Sequence, residues 1–270
     1  MKLGLNIPNF GPTATPELLR AWARFAEDHG YAIAMMSDHV APTPDVTATY
    51  PSPFYDPFAT LAWLAGQTSR IELGTTVAVA PHRHPLHTAR LATNIDQFSG
   101  GRFVLGLGVG WSAPEFAALG LSFADRGRLT DEYLAVIAQA LTSPTVSFND
   151  QDVDTGPASV QRPHLPIWVG GSVPAAIRRA VRFGQGWHPI NPRLEWLRET
   201  GLPMLRAVAD ELAMPVPAFC PRIKAGVADV RAFFDLGAEY VIVDTNPDDP
   251  ADRRPPAADW ELLAKIASRG

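Results

Sequence analysis

The 270-residue sequence predicts a closed (β/α)8 barrel of the α/β class, one domain spanning residues 1–270. Three observations predict it. Short apolar runs suited to buried parallel strands alternate with segments of helical period, the order expected of repeated strand–helix units. Eight such units can be counted, and the length is close to the roughly 250 residues typical of an eight-unit barrel. Several of the strand-like runs end in polar or glycine-rich residues, at the end of the barrel where such folds carry their chemistry.

The first strand is read at Leu3–Asn9, followed by a helix over Pro16–His29. Thr15 is placed to cap that helix, with Pro16 at its first position, and Gly30 stops it. The second strand, Tyr31–Ser37, runs into Asp38-His39 and a proline- and threonine-rich loop over Ala41–Tyr55. Asp56-Pro57 starts the second helix, which continues to about Thr68. The third strand is Ile71–Val79, its helix Pro85–Phe98, and Gly100-Gly101 turns into the fourth strand, Phe103–Val109. Helical pieces follow at Ala113–Leu119 and Arg126–Leu141. Thr142–His164 carries Asn, Asp, Gly and Pro with no clean period and reads as an irregular excursion. The fifth strand is Leu165–Val169, turning at Gly170-Gly171-Ser172 into a helix over Pro174–Phe183. Gly186–Pro189 and a helix over Leu194–Leu212 form the sixth unit. Val216–Ile223 and Tyr240–Asp244 complete the strands, with helices at Val227–Leu236 and Asp259–Ala267.

Twenty-three basic against 28 acidic residues leave a formal net charge of −5, which disfavours nonspecific attraction to nucleic-acid phosphates and anionic membranes. The opening MKLGLNIPNFG is interrupted by Asn6, Pro8 and Asn9 before a signal-peptide core can form. No stretch offers the roughly 18 uncharged apolar residues of a membrane span. The expectation is a cytoplasmic protein. A chain of this size buries enough surface to need no disulfide staples, in keeping with its single cysteine, Cys220.

LGLGVG places Gly106, Gly108 and Gly110 two apart after a strand, but a dinucleotide fingerprint counted from Gly106 requires glycine where Trp111 stands. Such small residues either let a barrel strand pack closely or leave room for a flat ring. His82, His84 and His87, with His39, His188 and Asp244 at other strand ends, offer a possible metal-ligand set for a hydrolase. Pro81 and Pro85 bracket the HxH pair and put it in a loop, so no metal is assigned. Asp38-His39 suits proton transfer: a histidine exchanges protons near neutral pH and a neighbouring aspartate can fix its tautomer. Gly170-Gly171-Ser172 before a helix is either an anion cradle or a turn capped by Ser172. Arg126 and Arg128 either approach that anion or decorate a helix start. There is no GxSxG elbow, and Cys220 has no histidine or acidic neighbour in sequence, which removes nucleophilic hydrolysis.

Taken in order, SDHV, YPSPFYDPFATLAWLA, TSRIELGTTVAVAPHRHP, FSGGRFVLGLGVGW, ALGLSFADRGRLTDEYL, QRPHLPIWVGGS and GWHP resemble the luciferase-like flavin and deazaflavin oxidoreductases. Within them, they look like the coenzyme F420-dependent oxidoreductase branch. The resemblance covers about Met1–Pro189. It implies a TIM-type, bacterial-luciferase-like barrel that binds a flavin-like tricycle at the carboxyl ends of its strands. It implies a bulged third strand with a non-prolyl cis peptide at Thr76–Val77. It places Asp38 and His39 near the edge and reacting face of the ring, Gly108, Val109 and Gly110 beside it, and Gly170, Gly171 and Ser172 at the cofactor phosphate. Sugar-phosphate dehydrogenases of this superfamily carry a glutamate proton donor just after the fourth strand, where this chain has Trp111. Trp111 is accordingly expected to wall a substrate pocket with Phe10, Phe54 and Tyr55. The implied activity is hydride transfer between coenzyme F420 and a small organic substrate, with His39 as proton donor. An FMN-dependent monooxygenase and a non-catalytic flavin- or deazaflavin-binding protein are the alternatives. Apolar helix faces make a homodimer plausible.

Overall fold

The computed structural model describes residues 1–224, 230–245 and 256–268. Among them twelve strands follow one another: β1 (Lys2–Asn6), β2 (Ile33–Met36), β3 (Glu72–Thr75), β4 (Ala78–Val79), β5 (Phe103–Gly108), β6 (Thr145–Phe148), β7 (Gln151–Asp154), β8 (Ile167–Gly170), β9 (Gly186–His188), β10 (Ala218–Phe219), β11 (Arg222–Lys224) and β12 (Tyr240–Asp244). Parallel ladders join them in the order β10-β9-β8-β5-β3-β2-β1-β12-β11, with β4 beside β5. Only Cys220 and Pro221 separate β10 from β11, so these two are halves of one strand and the sheet returns on itself. Cys220 N donates to the Trp187 carbonyl at 2.9 Å and Ile242 N to the Pro221 carbonyl at 2.8 Å, which carries the ladder across the break. Pro221 has no N–H to give, which is why the strand expected over Val216–Ile223 is interrupted.

Helix starts follow local chemistry. Thr15 accepts from Leu18 N at 3.2 Å to cap Pro16–Asp28, and Asp56 accepts from Ala59 N at 2.9 Å to cap Pro57–Ala65. Gly100, at φ +70°, ends the helix Pro85–Ser99 in the left-handed conformation that glycine adopts without steric cost.

The apolar core has two shells. Between sheet and helices lie Leu5, Trp22, Leu61, Phe103, Leu105, Leu134, Ile137 and Trp187. Inside the ring lie Ile33, Met35, Val104, Trp168, Cys220, Tyr240 and Ile242. Each fully buried large side chain of this kind stabilises the fold by about 1.5–3 kcal/mol relative to exposure. The interior fills by placing small against large: a Cβ on Gly186 would lie 2.4 Å from Trp168 Cδ1, and one on Gly4 would lie 2.5 Å from both Ile33 and Ile242.

The third strand, read over Ile71–Val79, divides into β3 and β4 around Thr76–Val77, whose peptide bond is cis, as the resemblance implies. Two expectations are corrected. The Thr142–His164 excursion is not wholly irregular, because β6 and β7 form an antiparallel hairpin in it, pairing Val146 with Val153. Its turn is Asn149-Asp150, both at positive φ, +50° and +59°, as a two-residue hairpin loop requires. With one fully buried side chain, Val146, across the two strands, the alternation is too weak to read from sequence. The Ala41–Tyr55 loop contains a short helix, Pro44–Thr47. At the far end, the last helix runs Pro256–Ala267 and the one before it Val230–Asp235, while the start expected at Val227 lies outside the described residues. No helix among the described residues is long and apolar enough to cross a membrane.

Candidate active site

At the carboxyl ends of the parallel strands, the interior of the barrel changes from apolar to polar. Arg222 donates to Asp244 Oδ2 from Nε at 3.0 Å and from a terminal nitrogen at 2.6 Å, and its other terminal nitrogen donates to the Thr76 carbonyl at 2.8 Å. Asn6 Nδ2 donates to Asp244 Oδ1 at 3.0 Å, leaving Asn6 Oδ1 a buried acceptor without a partner. His188 Nδ1 faces the Cys220 carbonyl at 2.5 Å, so it carries the proton and Nε2 accepts from the Thr76 hydroxyl at 2.7 Å. Complete burial, helped by the Arg222 charge, pushes this imidazole down to about 4 and keeps it neutral. These five residues form the floor of the barrel mouth.

His39 stands at the rim, just beyond β2. Its Nδ1 donates to Glu115 Oε2 at 2.7 Å, while Glu115 Oε1 accepts from Val40 N at 2.8 Å and Ala41 N at 3.0 Å. Burial alone would raise the Glu115 carboxyl, but the His39 hydrogen bond and charge and the backbone N–H of Ala41 outweigh it and hold it below the usual range. Three aromatic rings surround the imidazole: Tyr50 at 5.4 Å, Phe54 at 5.3 Å and the half-exposed Trp111 at 5.7 Å between centroids. Phe10 stacks on Phe54 at 5.5 Å and meets Tyr50 edge-on at 5.1 Å. Phe10, Phe54 and Trp111 therefore come together, as their sequence positions suggest. Tyr55 does not join them: its backbone is tied to Asn9 and its ring packs on the outer core. Tyr50 takes its place, unsignalled because the loop that carries it has no period to read.

Glu115 is the other residue missed. Ser112 accepts from Glu115 N at 3.1 Å and caps the helix Ala113–Ala118, so Ser-Ala-Pro-Glu reads locally as a capping box. In the fold its carboxylate reaches the post-β2 loop instead. The same two segments are stitched again by Asp45, which accepts from Ser112 Oγ at 2.7 Å and Thr43 Oγ1 at 2.5 Å.

Asp38, expected near the edge of a cofactor ring, is held by groups of the protein itself. Arg83 engages both its carboxylate oxygens and Val79 N donates to Oδ2 at 2.9 Å, so its oxygens are committed within the protein. The glycines in β5 and at the end of β8 serve the bulged strand. A Cβ on Gly108 would lie 2.6 Å from Val77 Cγ2, one on Gly170 3.0 Å from Val77 Cγ1, and one on Gly106 1.9 Å from the Thr75 carbonyl oxygen. Val77 thus seats itself in a notch that glycines on two neighbouring strands leave open, and its side chain remains partly exposed. Val109 and Gly110 follow at the rim, Gly110 at φ +78° against Val79 and Phe116.

Gly171, at φ +114°, approaches Ala176 so closely that a Cβ would lie 2.8 Å from that methyl. The helix Pro174–Phe183 that follows is capped by Val173, not Ser172, and no side chain accepts from its first turn. Arg126 instead lies over the Phe123 ring and donates to that residue's carbonyl, and Arg128 pairs with Asp125 and Glu132 on the surface. The histidines of the HxH pair diverge: His82 is buried edge-on to Phe116 with both nitrogens unpartnered, whereas His84 is exposed against Phe148. His188 and Asp244 belong to the floor. Among the described residues no group of three or more His, Cys, Asp or Glu side chains could hold a metal ion.

Comparison with known proteins agrees with this architecture. An F420-dependent glucose-6-phosphate dehydrogenase of Nakamurella multipartita is 32% identical over 208 residues, covering 73% of this chain and 58% of the relative. The chain spans less than two thirds of the length of the curated relatives it matches. An F420-dependent secondary alcohol dehydrogenase, solved with an F420–acetone adduct, superposes with a TM-score of 0.77 at 14% identity, over 100% of this chain and 99% of that one. The oxygenating constituent of a Pseudomonas putida 3,6-diketocamphane monooxygenase, solved with FMN, gives 0.73 at 16%, over 100% and 98%. The luciferase-like monooxygenase family model matches residues 1–228. The chain belongs to the luciferase-like monooxygenase family of enzymes.

Proposed function

We propose that this chain is a coenzyme F420-dependent oxidoreductase that passes a hydride between the deazaflavin and a small organic carbonyl or unsaturated substrate. The observation that carries the reading is His39: a buried imidazole backed by a carboxylate, ringed by aromatic side chains, with Nε2 unpartnered among the described residues. The name of the Nakamurella relative supports the cofactor class.

The residues present fit such a group. Val77 offers a partly exposed apolar surface above a polar floor, and Asn6 Oδ1 is a buried acceptor in need of a donor. Gly170, Gly171 and Ser172, ahead of a helix start that no side chain caps, would hold a phosphate through backbone N–H groups. Gly108, Val109 and Gly110 would lie beside the ring system, with Thr76 and Val77 beneath it. Asp38 contributes indirectly, by holding Arg83 and the backbone of Val79.

When bound, the deazaflavin supplies the two-electron chemistry. The protein's part is proton control and exclusion of water. His39 would deliver a proton from Nε2 to the substrate, and Phe10, Tyr50, Phe54 and Trp111 would shape the apolar pocket around it.

The FMN-bound camphane monooxygenase and the family's own description favour a second reading, in which the same mouth holds FMN for oxygenation. Titrating the purified apoprotein separately with F420 and FMN, followed by fluorescence quenching, distinguishes them. The expected result is saturable, equimolar F420 binding tighter than FMN. Preference for FMN with oxygen uptake on reduction would establish the second reading. Tight binding with no turnover across carbonyl and enone substrates would indicate a binding protein, and binding of neither cofactor would overturn all three.

A further inference from the structure

Glu115 sits behind His39 in a position that does more than cap a helix. Its side chain is almost fully buried, and its two oxygens divide their work: Oε2 takes the His39 Nδ1 proton at 2.7 Å, and Oε1 takes Val40 N and Ala41 N. A carboxylate can only accept, so the neutral His39 ring has its proton on Nδ1 and a lone pair on Nε2. His82 closes the cluster, its Nδ1 at 4.0 Å from Glu115 Oε1 and both ring nitrogens otherwise unpartnered and buried. Asp45, Thr43 and Ser112 lock the two segments that carry His39 and Glu115 against each other. Trp111, next to Ser112, is thereby fixed edge-on to the His39 ring.

We propose that Glu115 is the positioning residue of the site: it holds the His39 proton on Nδ1, so that Nε2 is the nitrogen that exchanges protons with the substrate, and it fixes the loop that presents that nitrogen. The balance is simple. Protonated His39 gives its Nε2 proton to the substrate and is left neutral with Nδ1–H, Glu115 stays ionised throughout, and Nε2 regains a proton from solvent. This rests on the mouth being the reaction site proposed above, but the tautomer itself does not depend on the cofactor.

The test is imidazole NMR on protein labelled with 15N- and 13C-histidine, at a pH where His39 is neutral, with the His39 signals identified by their loss in His39→Gln. The wild-type protein is expected to show Nδ1–H on His39. Glu115→Ala is expected to move that proton to Nε2 and to lower kcat at least about tenfold, part of the 10²–10⁴ a positioned general acid contributes, with the cofactor Kd unchanged. Glu115→Gln, whose amide oxygen can still accept from Nδ1–H, should restore the wild-type tautomer in part. Nε2–H in the wild type, or Nδ1–H retained in folded Glu115→Ala, overturns the proposal. Should Glu115→Ala not fold, the wild-type spectrum decides alone. Failure of F420 and FMN to bind would appear in the separate titration and leave this readout untouched.

Discussion

Arg83 grips Asp38 through both terminal guanidinium nitrogens, at 2.7 and 2.8 Å, with the Asp38 side chain wholly buried. The same guanidinium reaches Asp56 at 2.6 Å and lies over the Phe58 ring, so one side chain ties the end of the second strand to the start of the following helix.

Removing one member of such a pair strands the other charge out of water. Arg83→Met is expected to destabilise the protein by about 3–5 kcal/mol, and Asp38→Asn combined with Arg83→Met by less than the two single changes summed. Urea unfolding of the two single variants and the double variant measures this. Strict additivity would show that the pair is not coupled.

Stability should fall in mild acid because of His188. Its folded-state value is about 4 against 6.5 for the free group, so the unfolded chain binds the proton first, and stability present above pH 6.5 is lost as pH drops toward 4. The full loss from this group is about 3 kcal/mol. Glu115, held low in the fold, adds its own loss only below the ordinary carboxylate range. Urea midpoints between pH 7.5 and 4 should show this slope, and His188→Phe, though less stable, should reduce it; the His82 imidazole, also held low by burial, contributes in the same direction.

Gly108→Ala would push a methyl into Val77, with Cγ2 at 2.6 Å. A cost of about 1–3 kcal/mol is expected from overpacking, together with weakened cofactor binding as Val77 is displaced. Val77→Ala in the same chain should restore both. Fluorescence titration and thermal melts of the single and double variants check it, and unimpaired binding in Gly108→Ala would remove Val77 from the cofactor surface.

His39→Ala should bind cofactor as the wild type does and turn over about 10²–10⁴ times more slowly. Single-turnover measurement of cofactor oxidation separates the two quantities. Unchanged turnover with cofactor bound would remove the proton-donor role.

Much of the architecture is legible because local chemistry and tertiary need coincide. Asp56-Pro57 starts a helix in the sequence and in the fold, and Tyr240–Asp244 is a strand in both, since five consecutive buried residues permit little else. His39 is legible as a rim residue because it follows a buried strand directly. Glu115 is not, because Ser112 gives it a sufficient local explanation, and its real partners lie 74 to 76 residues away. Asp38 is legible only as a polar neighbour of His39; its ion-pair partner Arg83 lies 45 residues away in sequence. The β6–β7 hairpin escapes notice because its turn is Asn-Asp, without the glycine that usually marks such turns.

The nesting of Val77 among Gly106, Gly108 and Gly170 makes four positions on three strands a single steric unit. Positions 108 and 170 should co-vary with 77 across relatives, a bulkier residue at either accompanied by a trimmed side chain at 77, whereas Gly106, against the Thr75 carbonyl, has no such relief. For anyone wishing to widen this mouth for larger compounds, Val77 is the place to begin, since enlarging any of the three glycines first would jam the strands against each other.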